Sequence, residues 1–156
     1  MSKIQTLLDK YAESHQDHTN KLIHWICVPS IVFSLVGMLY AIPFPIEKCW
    51  CCNWGAVAMT LSFFYYIGLS IPLSVGLFGY ILLVLFGNSF IYDAIGRSDA
   101  NLFYVSIAIF VVAWIGQFIG HKIEGKKPSF LEDVQFLLIG PAWLLHFIYK
   151  KLGLPY

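Results

Sequence analysis

The stretch ESHQDHTNKLIHWICVP, Glu13 to Pro29, carries a charged, polar segment into an uncharged apolar run. Three of the chain's five histidines fall on that border, as His15, His18 and His24. How this stretch is read decides the fold. If a membrane span begins near Leu22, the histidines mark a boundary between water and lipid. If a core helix begins there, they are scattered through a soluble protein.

Composition favours the first reading. Of 156 residues, 58% are hydrophobic and 12% charged, and the mean hydropathy is +0.70. A soluble domain usually carries about twice that charge. The net charge of +1 offers nothing to nucleic acid. Windows of about 20 residues give four candidate spans: Leu22–Ile42, Trp54–Ile71, Leu73–Tyr92 and Leu102–Gly120. None contains Asp, Glu, Lys or Arg. Four such runs argue against a soluble all-α protein with apolar core helices. The first span begins too late, and lacks the small-residue cleavage pattern, to be a removable signal peptide.

A fifth apolar stretch, Val134–Tyr149, is shorter and is interrupted by Gly140-Pro141. With four spans, Lys3, Lys10, Lys21, Lys122, Lys126, Lys127, Lys150 and Lys151 fall on one side, and only Lys48 and Arg97 on the other. That bias places both termini in the cytoplasm. The membrane is a bacterial inner membrane, or the endoplasmic reticulum in a eukaryote. A fifth crossing would move Lys150 and Lys151 outside, so Val134–Tyr149 is read as a re-entrant or interfacial helical hairpin.

Near the N-terminus, Ile4, Leu7, Leu8, Tyr11 and His15 recur at helical spacing, with Lys3, Asp9, Lys10 and Glu13 on other faces. The pattern predicts an amphipathic helix lying on the membrane surface. The fold class is therefore an all-α integral membrane protein: an N-terminal amphipathic helix, four transmembrane helices and a C-terminal hairpin. It forms one domain, with residues 1–19 as surface helix and turn, 20–120 as spans, and 121–156 as cytoplasmic loop and hairpin.

The QDHTN segment, Gln16–Asn20, is rich in residues that compete with helical hydrogen bonding. Asn20 is the expected N-cap of the first span. A turn here folds the surface helix back, so that His15 approaches His24. The fourth span ends in WIGQFIGHKIEGKKP, Trp114–Pro128, with His121 at its cytoplasmic end. Four spans thus bring His15, His18, His24 and His121 to one membrane face, with Glu124 a helical turn beyond His121. Imidazole suits iron, zinc, copper or nickel, and a nearby carboxylate gives the donor set of open non-haem iron sites. Gln117, one turn before His121, is placed to orient a ligand.

The outer loop EKCWCCN, Glu47–Asn53, holds Cys49, Cys51 and Cys52, and Cys27 lies in the first span. A structural zinc site wants four ligands and usually wider spacing. A disulfide would form in an oxidising compartment and leave at least one loop thiol over.

Taken together, ESHQDHTNKLIHWICVPSIVFS and WIGQFIGHKIEGKKPSFLEDVQFLLIGPAWLL resemble a family of small membrane proteins related to the fungal 2-hydroxy fatty acid dioxygenase of phytosphingosine breakdown. The resemblance covers nearly the whole chain. It rests on two motifs, H-x4-N-x3-H-x4-P and Q-x2-G-H-x2-E-x3-P. Mapped by motif, these are His15, Asn20, His24 and Pro29, then Gln117, Gly120, His121, Glu124 and Pro128. The resemblance implies an Fe(II)-dependent enzyme that uses O2 to shorten a 2-hydroxy fatty acid by one carbon. His15, His24 and His121 would hold the metal, with Asn20, Gln117 and Glu124 as further site residues. Glu124 ranks below the histidines, and His18 and His146 match no family histidine. Lys122, Lys126 and Lys127 lie on the same side, either to draw in an anionic head group or, for at least two of them, as positive-inside anchors near lipid phosphates, and the acyl chain would lie between the spans. The competing readings are a haem-binding membrane protein with paired axial histidines and a metal-free lipid-binding scaffold. Homo-oligomerisation is left open.

Overall fold

A computed structural model describes residues 3–12, 15–125 and 137–155. Among these residues there is no strand. The elements are α1 (Lys3–Ala12), α2 (His18–Ala41), α3 (Trp54–Leu69), α4 (Ile71–Ala94), α5 (Asp99–Glu124) and α6 (Ile139–Leu152).

Helices α2, α4 and α5, of 24, 24 and 26 residues, are long and apolar enough to cross a membrane. Their outward faces expose large apolar side chains such as Ile26, Phe90 and Val112, each at least 70% accessible, as a lipid-facing surface requires. Helix α3 covers most of the second candidate span but has 16 residues. At 1.5 Å per residue that is about 24 Å, short of a hydrocarbon core of about 30 Å. Ser70 ends α3 and caps α4, its hydroxyl accepting from Leu73 N, with Pro72 in the first turn where its missing N–H costs nothing.

Helix α2 is the hub, touching α3, α4, α5 and α6, and its largest contact is with α5. Lipid gives apolar side chains little reason to leave it, so spans pair through close approach of small residues. A Cβ on Gly116 would strike Cys27 Sγ at 2.5 Å, and one on Gly120 would overlap the Asn20 side chain. These two glycines, one turn apart, press α5 against the first half of α2.

Two expectations are corrected here. The N-cap of α2 is Asp17 rather than Asn20. Its carboxylate accepts from Thr19 N at 2.8 Å and Asn20 N at 3.0 Å, while Asn20 lies inside the helix with its side chain turned elsewhere. The apolar stripe of α1 is also covered by protein rather than laid on lipid. Ile4, Leu8 and Tyr11 are buried in one cluster with Ile139, Ala142 and Trp143 of α6. Helical periodicity specifies that a face must be covered, and here a second helix supplies the cover.

In the C-terminal region, Gly140 and Pro141 stand in the first turn of α6 and do not interrupt it. The expected hairpin begins within residues 126–136, outside the described residues.

Candidate metal centre

Three elements meet at one end of the bundle. His15 follows α1, held by a bond from its N–H to Ala12 O at 3.1 Å. His24 lies in the second turn of α2, and His121 in the last turn of α5. All three are at most 4% exposed. One ring nitrogen of each lies within 4.8 Å of the others, and the ring centroids are 4.3 to 5.7 Å apart.

Backbone carbonyls fix two of the tautomers. His15 Nδ1 donates to Tyr11 O at 2.7 Å, and His24 Nδ1 donates to Asn20 O at 2.9 Å. A carbonyl only accepts, so these protons sit on Nδ1 and the lone pairs on Nε2. This is how metal-binding imidazoles are commonly oriented. Tyr11 stacks on His15 at 4.3 Å, nearly parallel, and Trp143 closes the other flank at 5.3 Å. The donor set therefore suits a divalent transition metal in a dry pocket.

Glu124 is used differently from a ligand. Its Oε1 accepts from Gln16 N at 2.7 Å, and its Oε2 accepts from Asp17 N at 2.9 Å and Asn20 Nδ2 at 3.0 Å. The carboxylate thus clamps the α1–α2 turn to the end of α5 and answers the unsatisfied N–H groups ahead of α2. Gly125 supports this by ending α5 in the left-handed conformation, its N–H bonding His121 O and Lys122 O. Asn20, fully buried, bridges the two sides by donating to Glu124 through its side chain and accepting from His24 through its carbonyl. At Gly120 only the absent Cβ makes room for Asn20 and, 3.4 Å away, His24 Cε1.

Gln117 is buried one turn before His121. Lys122 and His18 are exposed and stand outside the cluster. His146 is half-buried on α6, and burial first, then Lys150 nearby, holds its imidazole below the ordinary value. Lys126, Lys127 and Pro128 lie outside the described residues. Two wall residues went unread in the sequence. Tyr11 was assigned only to an amphipathic stripe, although its spacing of four from His15 was the available signal. Nothing local marked Trp143.

A family model described as "2-hydroxy-palmitic acid dioxygenase Mpo1-like" matches residues 1–152. The 2-hydroxy-palmitic acid dioxygenase MPO1 of Saccharomyces cerevisiae is 30% identical over 152 residues, covering 96% of this chain and 82% of the yeast protein. No solved structure matches.

Proposed function

This chain belongs to the Mpo1-like family, and on that premise we propose that it is an Fe(II)-dependent membrane dioxygenase acting on long-chain 2-hydroxy fatty acids. The observation that carries the reading is the meeting of His15, His24 and His121 in one buried cluster, with two tautomers set by backbone carbonyls. The overall conversion balances as R–CH(OH)–COOH + O2 → R–COOH + CO2 + H2O. The acid loses one carbon and O2 accepts the electrons.

Held by the three imidazoles, Fe(II) would supply the redox centre through which O2 and a spin-paired organic acid can react. The protein's share is positioning. Tyr11 and Trp143 wall the cluster against water, and Glu124 holds the turn that carries His15. Lys122, next to His121 in the chain, is the described cation nearest in sequence for the substrate carboxylate. An apolar groove of about 270 Å³ runs between α2, α4 and α6, lined by Trp25, Pro29, Leu77, Tyr80, Leu144 and Ile148. None of the three histidines lines it, but Trp25 and Leu144 directly follow His24 and Trp143 in the chain, and we assign the acyl chain to this groove, entering from the bilayer.

We further propose four crossings with both termini cytoplasmic, α3 completing its crossing with flanking residues, and α6 seated at the inner face. All the basic residues except Lys48 and Arg97 then share one side with the site.

The test is mass spectrometry of products from anaerobically purified, Fe(II)-loaded protein in detergent, with and without O2. A 2-hydroxy acid should give the acid one carbon shorter only with O2. The unsubstituted and 3-hydroxy acids should react roughly 10⁴-fold more slowly, as when a site built around a hydroxyl meets an analogue lacking it. Equal turnover of the unsubstituted acid would overturn the reading.

A further inference from the structure

We propose that Cys49, Cys51 and Cys52 form a second metal site, specific for a soft monovalent cation, Cu(I), at the opposite end of the bundle from the histidines. The sulfurs already cluster. Cys49 Sγ lies 3.3 Å from Cys51 Sγ, Cys51 Sγ lies 3.8 Å from Cys52 Sγ, and all three fall within 4.8 Å of one another. A metal–sulfur bond of about 2.3 Å requires sulfurs about 4 Å apart in a trigonal plane. The observed triangle needs only small side-chain rotations to reach that.

The loop is preorganised by a residue that binds no metal. Asn53 is fully buried, and its Nδ2 donates to Cys49 O at 2.9 Å and Trp50 O at 3.3 Å, while its Oδ1 accepts from Ala56 N at 2.8 Å and so caps α3. Cys52 N donates to Cys49 O at 3.2 Å. Trp50 stacks on Phe86 of α4 at 4.7 Å, pinning the turn to the bundle. Cys51 is exposed and its neighbours partly so, leaving an approach for an ion.

The identity of the ion follows from the donor count. Among the described residues no histidine or carboxylate joins the three sulfurs. Zinc would be left one protein ligand short of its usual four, whereas Cu(I) prefers soft sulfur and is satisfied by three thiolates. Cys49 also lines a cavity of about 390 Å³ with Lys48, Arg97, Glu47 and Asp93, whose charges pair with one another or with Asp99 and leave the sulfurs as the donors for a cation. Along α2 the separation from His24 is about 25 Å at 1.5 Å per residue, so the two sites share no ligand.

The experiment is anaerobic Cu(I) titration of the full chain in detergent against a chromophoric Cu(I) chelator, paired with thiol counting. Wild type should hold one Cu(I) per chain, and His15→Ala/His24→Ala should hold it equally. Cys51→Ser should weaken it by more than the roughly 10- to 100-fold typical of losing an outer partner of a ligand. The ion should also quench thiol reactivity in parallel with binding. Equal Cu(I) affinity in Cys49→Ser/Cys51→Ser/Cys52→Ser and wild type would overturn the site, as would a loop disulfide in the anaerobically purified protein. Loss of Cu(I) in the histidine variant would overturn it too.

Discussion

A triad of candidate metal ligands lies near each end of α2, and the two are built by opposite means. The histidines come from the turn after α1, from α2 and from the distant end of α5, and are buried to 4% exposure or less. The cysteines come from one four-residue turn that remains accessible. A local cluster needs only a turn and its anchoring asparagine. A dispersed one needs every contact that brings α1, α2 and α5 together. The histidine centre should therefore be sensitive to packing changes that leave the cysteine loop untouched.

The hardest test of that contrast is removal of one histidine. His15→Ala, His24→Ala or His121→Ala should each abolish iron binding and lower kcat/KM by about 10³-fold or more, since a metal supplies several kcal/mol to such a reaction. The same change at His18 or His146 should leave most of both, measured by metal analysis and product formation. Full activity in His15→Ala, with loss in His18→Ala, would break the assignment.

Sidedness comes next. An impermeant thiol reagent should reach Cys49, Cys51 and Cys52 from one face, and Cys introduced by Lys151→Cys only from the other. Labelling of both from the same face would mean that Val134–Tyr149 crosses the membrane.

A smaller effect is expected where the histidine triad is supported rather than formed. Glu124→Gln should weaken iron binding by roughly 10- to 100-fold, because an amide NH2 would then face donors on Gln16, Asp17 and Asn20. Gly120→Ala should act in the same direction by crowding Asn20 and His24. Neither should alter Cu(I) binding at the loop. A Glu124→Gln protein with unchanged iron affinity would show that the clamp positions nothing.

The smallest change lies in the outer cap. Lys48 Nζ pairs with Asp99 Oδ1 at 2.6 Å, but Asp99 is 42% exposed and stays hydrated without its partner. Lys48→Met should cost about 1 kcal/mol or less, read as a small drop in Tm, with dioxygenase activity unchanged.

Much of the fold lay open in the sequence because a membrane span is specified by composition alone. Apolar runs without charge located α2, α4 and α5, and the same windows found α3, though not that its helix would stop at 16 residues. The ends of the apolar runs marked His24, His121 and Gln117, the family resemblance added Asn20, and the return of the chain at Gln16–Asn20 explained why His15 belongs with them. Structure had to decide matters of direction and partnership. Whether α1 faces lipid or α6, whether Asp17 or Asn20 caps α2, and whether Glu124 points to a metal or to three donors all depend on distant atoms. Periodicity fixes which face of a helix is apolar, and chemistry fixes what a carboxylate can accept. For Glu124 the group that stands opposite is set by how closely α5 approaches α2, and that distance is controlled at Gly116 and Gly120 by side chains that are not there.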